Sequence, residues 1–114
     1  MLRSLKNLIK KILRSEKRTG EVNLVLMGDA EIRRLNRRFR HKDKATDVLA
    51  FPLGEDGILG DIAISTETAK KNAVKYGNRY QQELKRLVVH GVLHLLGYDH
   101  GKRMSRAEKI YQKL

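Results

Sequence analysis

The stretch Leu84–His100, LKRLVVHGVLHLLGYDH, decides how this chain is read. Leu84, Leu87, Val88, Val89, Val92, Leu93, Leu95 and Leu96 leave it almost no polar face, and a helix apolar nearly all round is buried in a core rather than laid on one. His90 and His94 are four residues apart, which puts both imidazoles on one side of that helix, one turn above the other. Gly97 predicts the helix stop, because glycine adopts the left-handed conformation that turns the chain back and lets His100 approach the same point from another direction. Chains of 114 residues bury roughly two-thirds of their extended surface and have room for one core, so residues 1–114 are expected to form a single domain around this helix.

Outward from it, Asn78 with Gln81 three residues on resembles a capping box, and Ser65 is placed to cap a helix ending near Gly77. Thr46–Pro52 (TDVLAFP) and Ile58–Ile64 (ILGDIAI) are β-branched and apolar, with Gly54-Glu55-Asp56-Gly57 between them as turn material, which predicts a β-hairpin. Glu21–Met27 reads as a strand, followed by Gly28 as turn and Asp29 as N-cap of a helix. That helix carries Ile32, Leu35 and Phe39 on its apolar side and Arg33, Arg34, Arg37 and Arg38 on the other. Residues 2–15 form an amphipathic helix whose interrupted apolar pattern is unlike a secretory signal, and a last short helix covers 103–113. The order α-β-α-β-β-α-α-α predicts an α+β fold: a small mixed sheet including the hairpin, packed by helices, with one buried helix carrying His-x3-His-x5-His.

The chain has 25 Lys and Arg against 13 Asp and Glu, a net charge of +12 with histidines neutral. Hot-adapted proteins raise both signs together, whereas an excess of one sign points to a polyanionic partner, nucleic acid first. The six aromatic residues, Phe39, Phe51, Tyr76, Tyr80, Tyr98 and Tyr111, are too few for a wide stacking platform, so binding is expected to rest mainly on phosphates. No run of roughly 18 apolar residues exists to span a bilayer, and no membrane association is expected. The absence of cysteine excludes disulfides and thiolate metal sites, which suits a reducing cytoplasm.

Three of the four histidines fall within His90–His100. An isolated histidine on an apolar face is usually a core residue satisfied by hydrogen bonds, and His41 is read that way, as a residue without a site. The trio His90, His94 and His100 instead has the spacing of a zinc site with three protein ligands and one open position, where structural sites are closed by four and are commonly rich in cysteine. Three neutral ligands leave the ion's charge undiminished, enough to bring the pKa of a water in the fourth place to about 7. The spacing is similar to that of the metzincin proteases, His-Glu-x-x-His-x-x-Gly-x-x-His, but Gly91 stands where their general-base glutamate would be, which argues against a peptidase.

HGVLHLLGYDH as a whole resembles the signature of the YbeY family, bacterial endoribonucleases of ribosomal RNA maturation. Leu35-Asn36, Phe39-Arg40, Asp43, TDVLAFP and Gly60-Asp61-Ile62-Ala63-Ile64-Ser65 resemble the family's other blocks in the same order, so the likeness runs from about residue 21 to 101. Ala45 and Ala50 depart from the proline and serine common there, and the chain starts without the strand that usually precedes the family's first helix. The resemblance implies one Zn2+ per chain on His90, His94 and His100, with Arg40 as an arginine needed for activity. The function it implies is a single-strand-specific endoribonuclease maturing the 3′ end of 16S rRNA on the ribosomal small subunit; a small-molecule substrate is not expected, and no oligomeric state follows. Asp47, Asp61 and Asp99 are candidates for the substrate groove or for orienting a histidine, or equally for capping turns and pairing with lysines. Either metal-activated water or the neighbouring ribose 2′-hydroxyl could attack the phosphodiester. Competing uses are a ribosome-binding module with a structural metal, which a fourth protein ligand would favour, and a metal hydrolase of another substrate.

Overall fold

A computed structural model describes residues 1–114. The elements follow the expected order: α1 (Leu2–Ser15), β1 (Glu21–Met27), α2 (Asp29–Arg40), β2 (Val48–Glu55), β3 (Ile58–Ser65), α3 (Thr66–Tyr76), α4 (Tyr80–Leu95) and α5 (Lys102–Tyr111). The sheet is mixed, in the order β1-β3-β2, with β3 parallel to β1 and antiparallel to β2. Asp56 and Gly57, both at positive φ (52° and 74°), make the tight turn of the hairpin, so β2 continues through Gly54 and Glu55 instead of ending at Pro52. An Asp-Gly pair accepts two positive φ values in succession, and the resulting turn matches the twist of the strands it joins.

Alternation along the strands assigns each residue to a face. Leu24, Ala50, Ile62 and Ile64 point to the side covered by α1, α4 and α5, where they join the main core. Leu49 and Ala63 point the other way and pack on Ile32 of α2. Helix α4 is the centre of the first side: Leu84, Leu87, Val88, Val89, Val92 and Leu93 are at most 1% exposed, as its all-round apolarity predicts. Gly91 is one place where it packs tightly on the sheet. A Cβ built there would lie 3.0 Å from Ile62 Cγ2.

Several caps shift by one residue from their expected places. Gly28 is the N-cap of α2 and Asp29 its first residue; the Asp29 carboxylate instead accepts hydrogen bonds from the Ser65 and Thr68 hydroxyls, tying α2 to the start of α3. Those two bonds hold its pKa below the ordinary aspartate value. Ser65 does cap α3, accepting from the Thr68 backbone N–H at 3.2 Å, and Gly77 ends that helix in the left-handed conformation. The predicted box at Asn78 and Gln81 falls one residue later, where Gln82 accepts from the Arg79 N–H at 3.1 Å. Among the charged residues of α4 only Glu83 is fully buried.

Candidate active site

Gly97, at φ 91°, ends α4 as expected. Its N–H bonds the His94 carbonyl, and the Tyr98 N–H bonds the Leu93 carbonyl, each at 3.0 Å. The reversal brings His100 back beside His90 and His94. Ring centroids are 4.6 Å apart for His90–His94, 5.1 Å for His94–His100 and 5.8 Å for His90–His100. Three imidazoles binding one ion at about 2 Å in tetrahedral directions have centroids roughly 5 Å apart, so the gathered rings have the spacing of a ligand trio. The trio is not closed to that geometry: no three His, Asp or Glu side chains stand as a finished metal-binding group. The Nε2 atoms of His90 and His94 lie 3.1 Å apart, within hydrogen-bond distance, so both are turned toward a common point.

The environment favours the neutral ring at His94 and orients the ring of His90. The pKa of His94 is lowered, first by burial and then by the neighbouring His90, His100 and Arg40, so it is neutral at pH 7. His90 turns its Nδ1 toward Glu108 Oε2 at 3.4 Å; a carboxylate on that side accepts a hydrogen bond from Nδ1–H and so favours the tautomer with Nε2 unprotonated. Glu108 lies on α5, and no sequence spacing relates it to the histidines. The search for a carboxylate partner, which ligating histidines usually have, is the one signal that could have pointed to it.

The histidines open onto a pocket of about 420 Å³ whose wall includes Arg40, Asp47 and Gly91. Arg40 comes from the end of α2, on the far side of the sheet. It reaches around β2, an outer strand, and its Nη2 donates to the Ala50 carbonyl at 3.0 Å. One guanidinium nitrogen is thereby anchored, and the remaining N–H groups are left for a ligand. Asp47 accepts from the Val48 N–H at 2.8 Å through Oδ1 and from Asn72 at 3.3 Å through Oδ2. Asn72 also reaches the buried Glu83 at 3.3 Å, and Arg86 clasps both oxygens of Glu83 at 2.8 and 2.6 Å. Asn72, Glu83 and Arg86 thus brace the pocket wall at Asp47 from α3 and α4, a network that the sequence reading did not contain.

The other proposed residues lie elsewhere. Asp61 is on the opposite face of the sheet, accepting a hydrogen bond from Asn23 Nδ2 at 2.9 Å. Strand parity is the reason: with Ile62 and Ile64 turned toward α4, Asp61 must face α2. Asp99 is exposed in the turn and outside the pocket lining, and His41 is the exposed C-cap of α2. The turn carrying His100 is held by Tyr98, whose hydroxyl donates to Glu16 Oε1 at 2.6 Å; Tyr111 donates to the other oxygen of the same carboxylate.

The profile of the family described as Endoribonuclease YbeY matches residues 1–113. The chain is 48% identical over 98 residues to the Endoribonuclease YbeY of Aquifex aeolicus, covering 82% of this chain and 65% of that protein. It is 47% identical over 95 residues to that of Koribacter versatilis, covering 83% and 62%. The chain therefore spans less than two thirds of the length of these two relatives. Among solved structures, the solution structure of TM1509 from Thermotoga maritima superposes with a TM-score of 0.76 at 37% identity, covering 98% of this chain and 79% of that one.

Proposed function

This chain belongs to the endoribonuclease YbeY family, and we propose that it is a zinc-dependent endoribonuclease that cuts single-stranded RNA and matures the 3′ end of 16S rRNA on the small ribosomal subunit, in the cytoplasm. The observation that carries the chemistry is the convergence of His90, His94 and His100 beside Arg40 in one pocket. Three neutral imidazoles are the donor set of a hydrolytic zinc site with an open position. A zinc ion held there would supply a Lewis acid for a phosphoryl oxygen and acidify a water.

The chain's own residues do the rest. Glu108 fixes the His90 tautomer that presents Nε2, and burial keeps His94 neutral. Arg40, already anchored on Ala50, faces the pocket, and the planar fork of a guanidinium suits two phosphate oxygens. Those contacts strengthen as the phosphorus gains a ligand and negative charge concentrates on its oxygens. Gly91 gives no proton acceptor where a peptidase would need one, in keeping with a substrate other than peptide.

The test is single-turnover cleavage of a defined single-stranded RNA by protein of known metal content, with and without chelator, and with the product ends identified. Zinc near one per chain and chelator-sensitive cutting are expected. His94→Ala should lose both the metal and some kcal/mol of stability, because metal binding adds to folding free energy. Equal metal content in wild type and His94→Ala would refute the site. Ends bearing 3′-hydroxyl and 5′-phosphate identify water as the nucleophile, and a cyclic phosphate identifies the ribose 2′-hydroxyl.

A further inference from the structure

The face of the sheet turned away from the histidines carries a groove of about 760 Å³. Register sets its floor: Asn23, Asp61 and Phe51 are partners across β1, β3 and β2 and form one row on the α2 side. Phe39, the penultimate residue of α2 by one position before Arg40, meets Phe51 edge to face with ring centroids 5.6 Å apart, yet is 55% exposed. That exposure leaves part of the Phe39 ring open to solvent. Cations stand beside it: Arg38 lies over the Phe39 ring, 5.2 Å from its centroid, and Lys6 is among the groove's lining residues.

Arg40 connects this groove to the histidine pocket. Its guanidinium carbon is 5.8 Å from the Phe51 ring centroid on one side of the β2 edge, while it lines the pocket of His90, His94 and His100 on the other. A phosphate held at Arg40 therefore has an aromatic pair within reach of its own nucleotide or the next. A phosphate could not follow into the groove, because the Asp61 carboxylate stands on a floor whose only other polar residue, Asn23, is already bonded to it. A base could: its faces are apolar and stack on aromatic rings, and its edge offers hydrogen-bond donors.

We propose that this groove is a nucleobase site, in which an unpaired base next to the phosphate at Arg40 stacks on Phe39 and Phe51 and is read at its edge by Asp61. The site rests on the RNA-cleaving reading given above and specifies how that substrate is recognised. Asn23 Nδ2 is already donated to Asp61 Oδ1, so the pair presents acceptors: Asp61 Oδ2 and Asn23 Oδ1. Acceptors favour bases with an exocyclic amino group, guanine, adenine or cytosine, over uracil, whose ring N–H stands between two carbonyls. The base site also selects for single strands, since a base paired in a duplex cannot leave the stack to enter it.

The experiment measures single-turnover cleavage over a range of protein concentrations, using RNAs in which each nucleotide in turn lacks its base. At one position next to the cut, loss of the base should raise the half-saturating concentration roughly tenfold, the scale of one stacked base, with little change in maximal rate. Phe39→Leu should produce the same rise on intact RNA and no further rise on the RNA lacking that base, while Phe39→Tyr, which keeps the ring, should behave as wild type. Asp61→Asn should narrow the preference for amino-bearing bases over uracil at that position. If Phe39→Leu leaves half-saturation unchanged, or adds its loss independently of the missing base, the nucleobase site is overturned while RNA cleavage stands. Self-association that buries this face in wild type and disappears in Phe39→Leu would likewise overturn it in favour of a second copy. Wild-type protein that neither cuts nor binds single strands overturns the functional reading and this site together.

Discussion

Arg40 acts from a helix on one side of the sheet upon a pocket on the other, and its Nη2 bond to the Ala50 carbonyl fixes how far the guanidinium can travel. This makes its contribution to rate separable from its contribution to binding. In the proposed reaction many other surface cations would hold RNA, but the arginine anchored beside the histidines would meet the phosphoryl oxygens where charge develops. Arg40→Ala should keep its metal and its fold, bind RNA only slightly less well, and cleave on the order of a hundredfold more slowly, the usual scale for one charge-stabilising donor. Arg40→Lys should recover only part of this, since an ammonium cannot both hold Ala50 and offer a planar fork. Rates, metal content and affinity measured on the same preparations decide the matter: wild-type rates would remove Arg40 from the mechanism, and an equal loss of affinity and rate would make it a binding residue. The sequence made the histidine trio legible because helical spacing and one glycine are local signals. Glu108 and Arg86 were not legible, because their roles arise only when α5 and α4 pack, and the face on which Asp61 stands follows from strand parity only once the pairing of β3 is known.

At the level of elements, α4 and β3 form the joint on which the site rests. The order of helices and strands followed from periodicity, but the central place of β3, parallel to β1 and antiparallel to β2, depends on tertiary pairing that no local pattern encodes. The close approach of the joint depends on Gly91, between the two ligand-spaced histidines of α4. A methyl group added there would meet Ile62 Cγ2, Cδ1 and Cγ1 at 3.0, 3.1 and 3.3 Å. Alanine also favours a helix over glycine by about 1 kcal/mol, whereas overpacking a core costs about 1–3 kcal/mol. The contact with a fully buried isoleucine sets the sign, so Gly91→Ala should destabilise the protein by about 1 kcal/mol. In an Ile62→Ala background the clash is gone, and the same substitution should become neutral or stabilising. Denaturant melts of the four proteins provide the cycle, and additive effects would show that the glycine serves something other than this contact.

Over the whole molecule, the net charge of +12 is a statement about partners only if its cations are free to meet phosphates, and the structure divides them. Arg33 bonds Asp43 Oδ1 at 2.9 Å, and Arg37 lies 3.9 Å from the same oxygen, so two arginines of the basic helix share a protein carboxylate. Arg34, Arg38 and Arg40 are exposed on α2 without such an ion pair, and two of them flank the path from the histidine pocket to Phe39. Each phosphate contact on a single strand releases counterions and contributes a slope of about −0.7 in log affinity against log salt. Contacts from about three to four cations along this path should therefore give a slope of roughly −2 to −3, well short of what 25 basic residues acting together would give. Asp43→Asn removes the carboxylate that competes for Arg33 and Arg37 and should strengthen binding and steepen the slope by up to one further contact; because both partners of that pair are exposed, it should leave stability nearly unchanged. Affinity for a single-stranded RNA measured over a series of salt concentrations, for wild type and Asp43→Asn, tests both statements. A flat salt response would reduce the charge excess to solubility, and an Asp43→Asn slope identical to wild type would place the RNA path away from the basic side of α2.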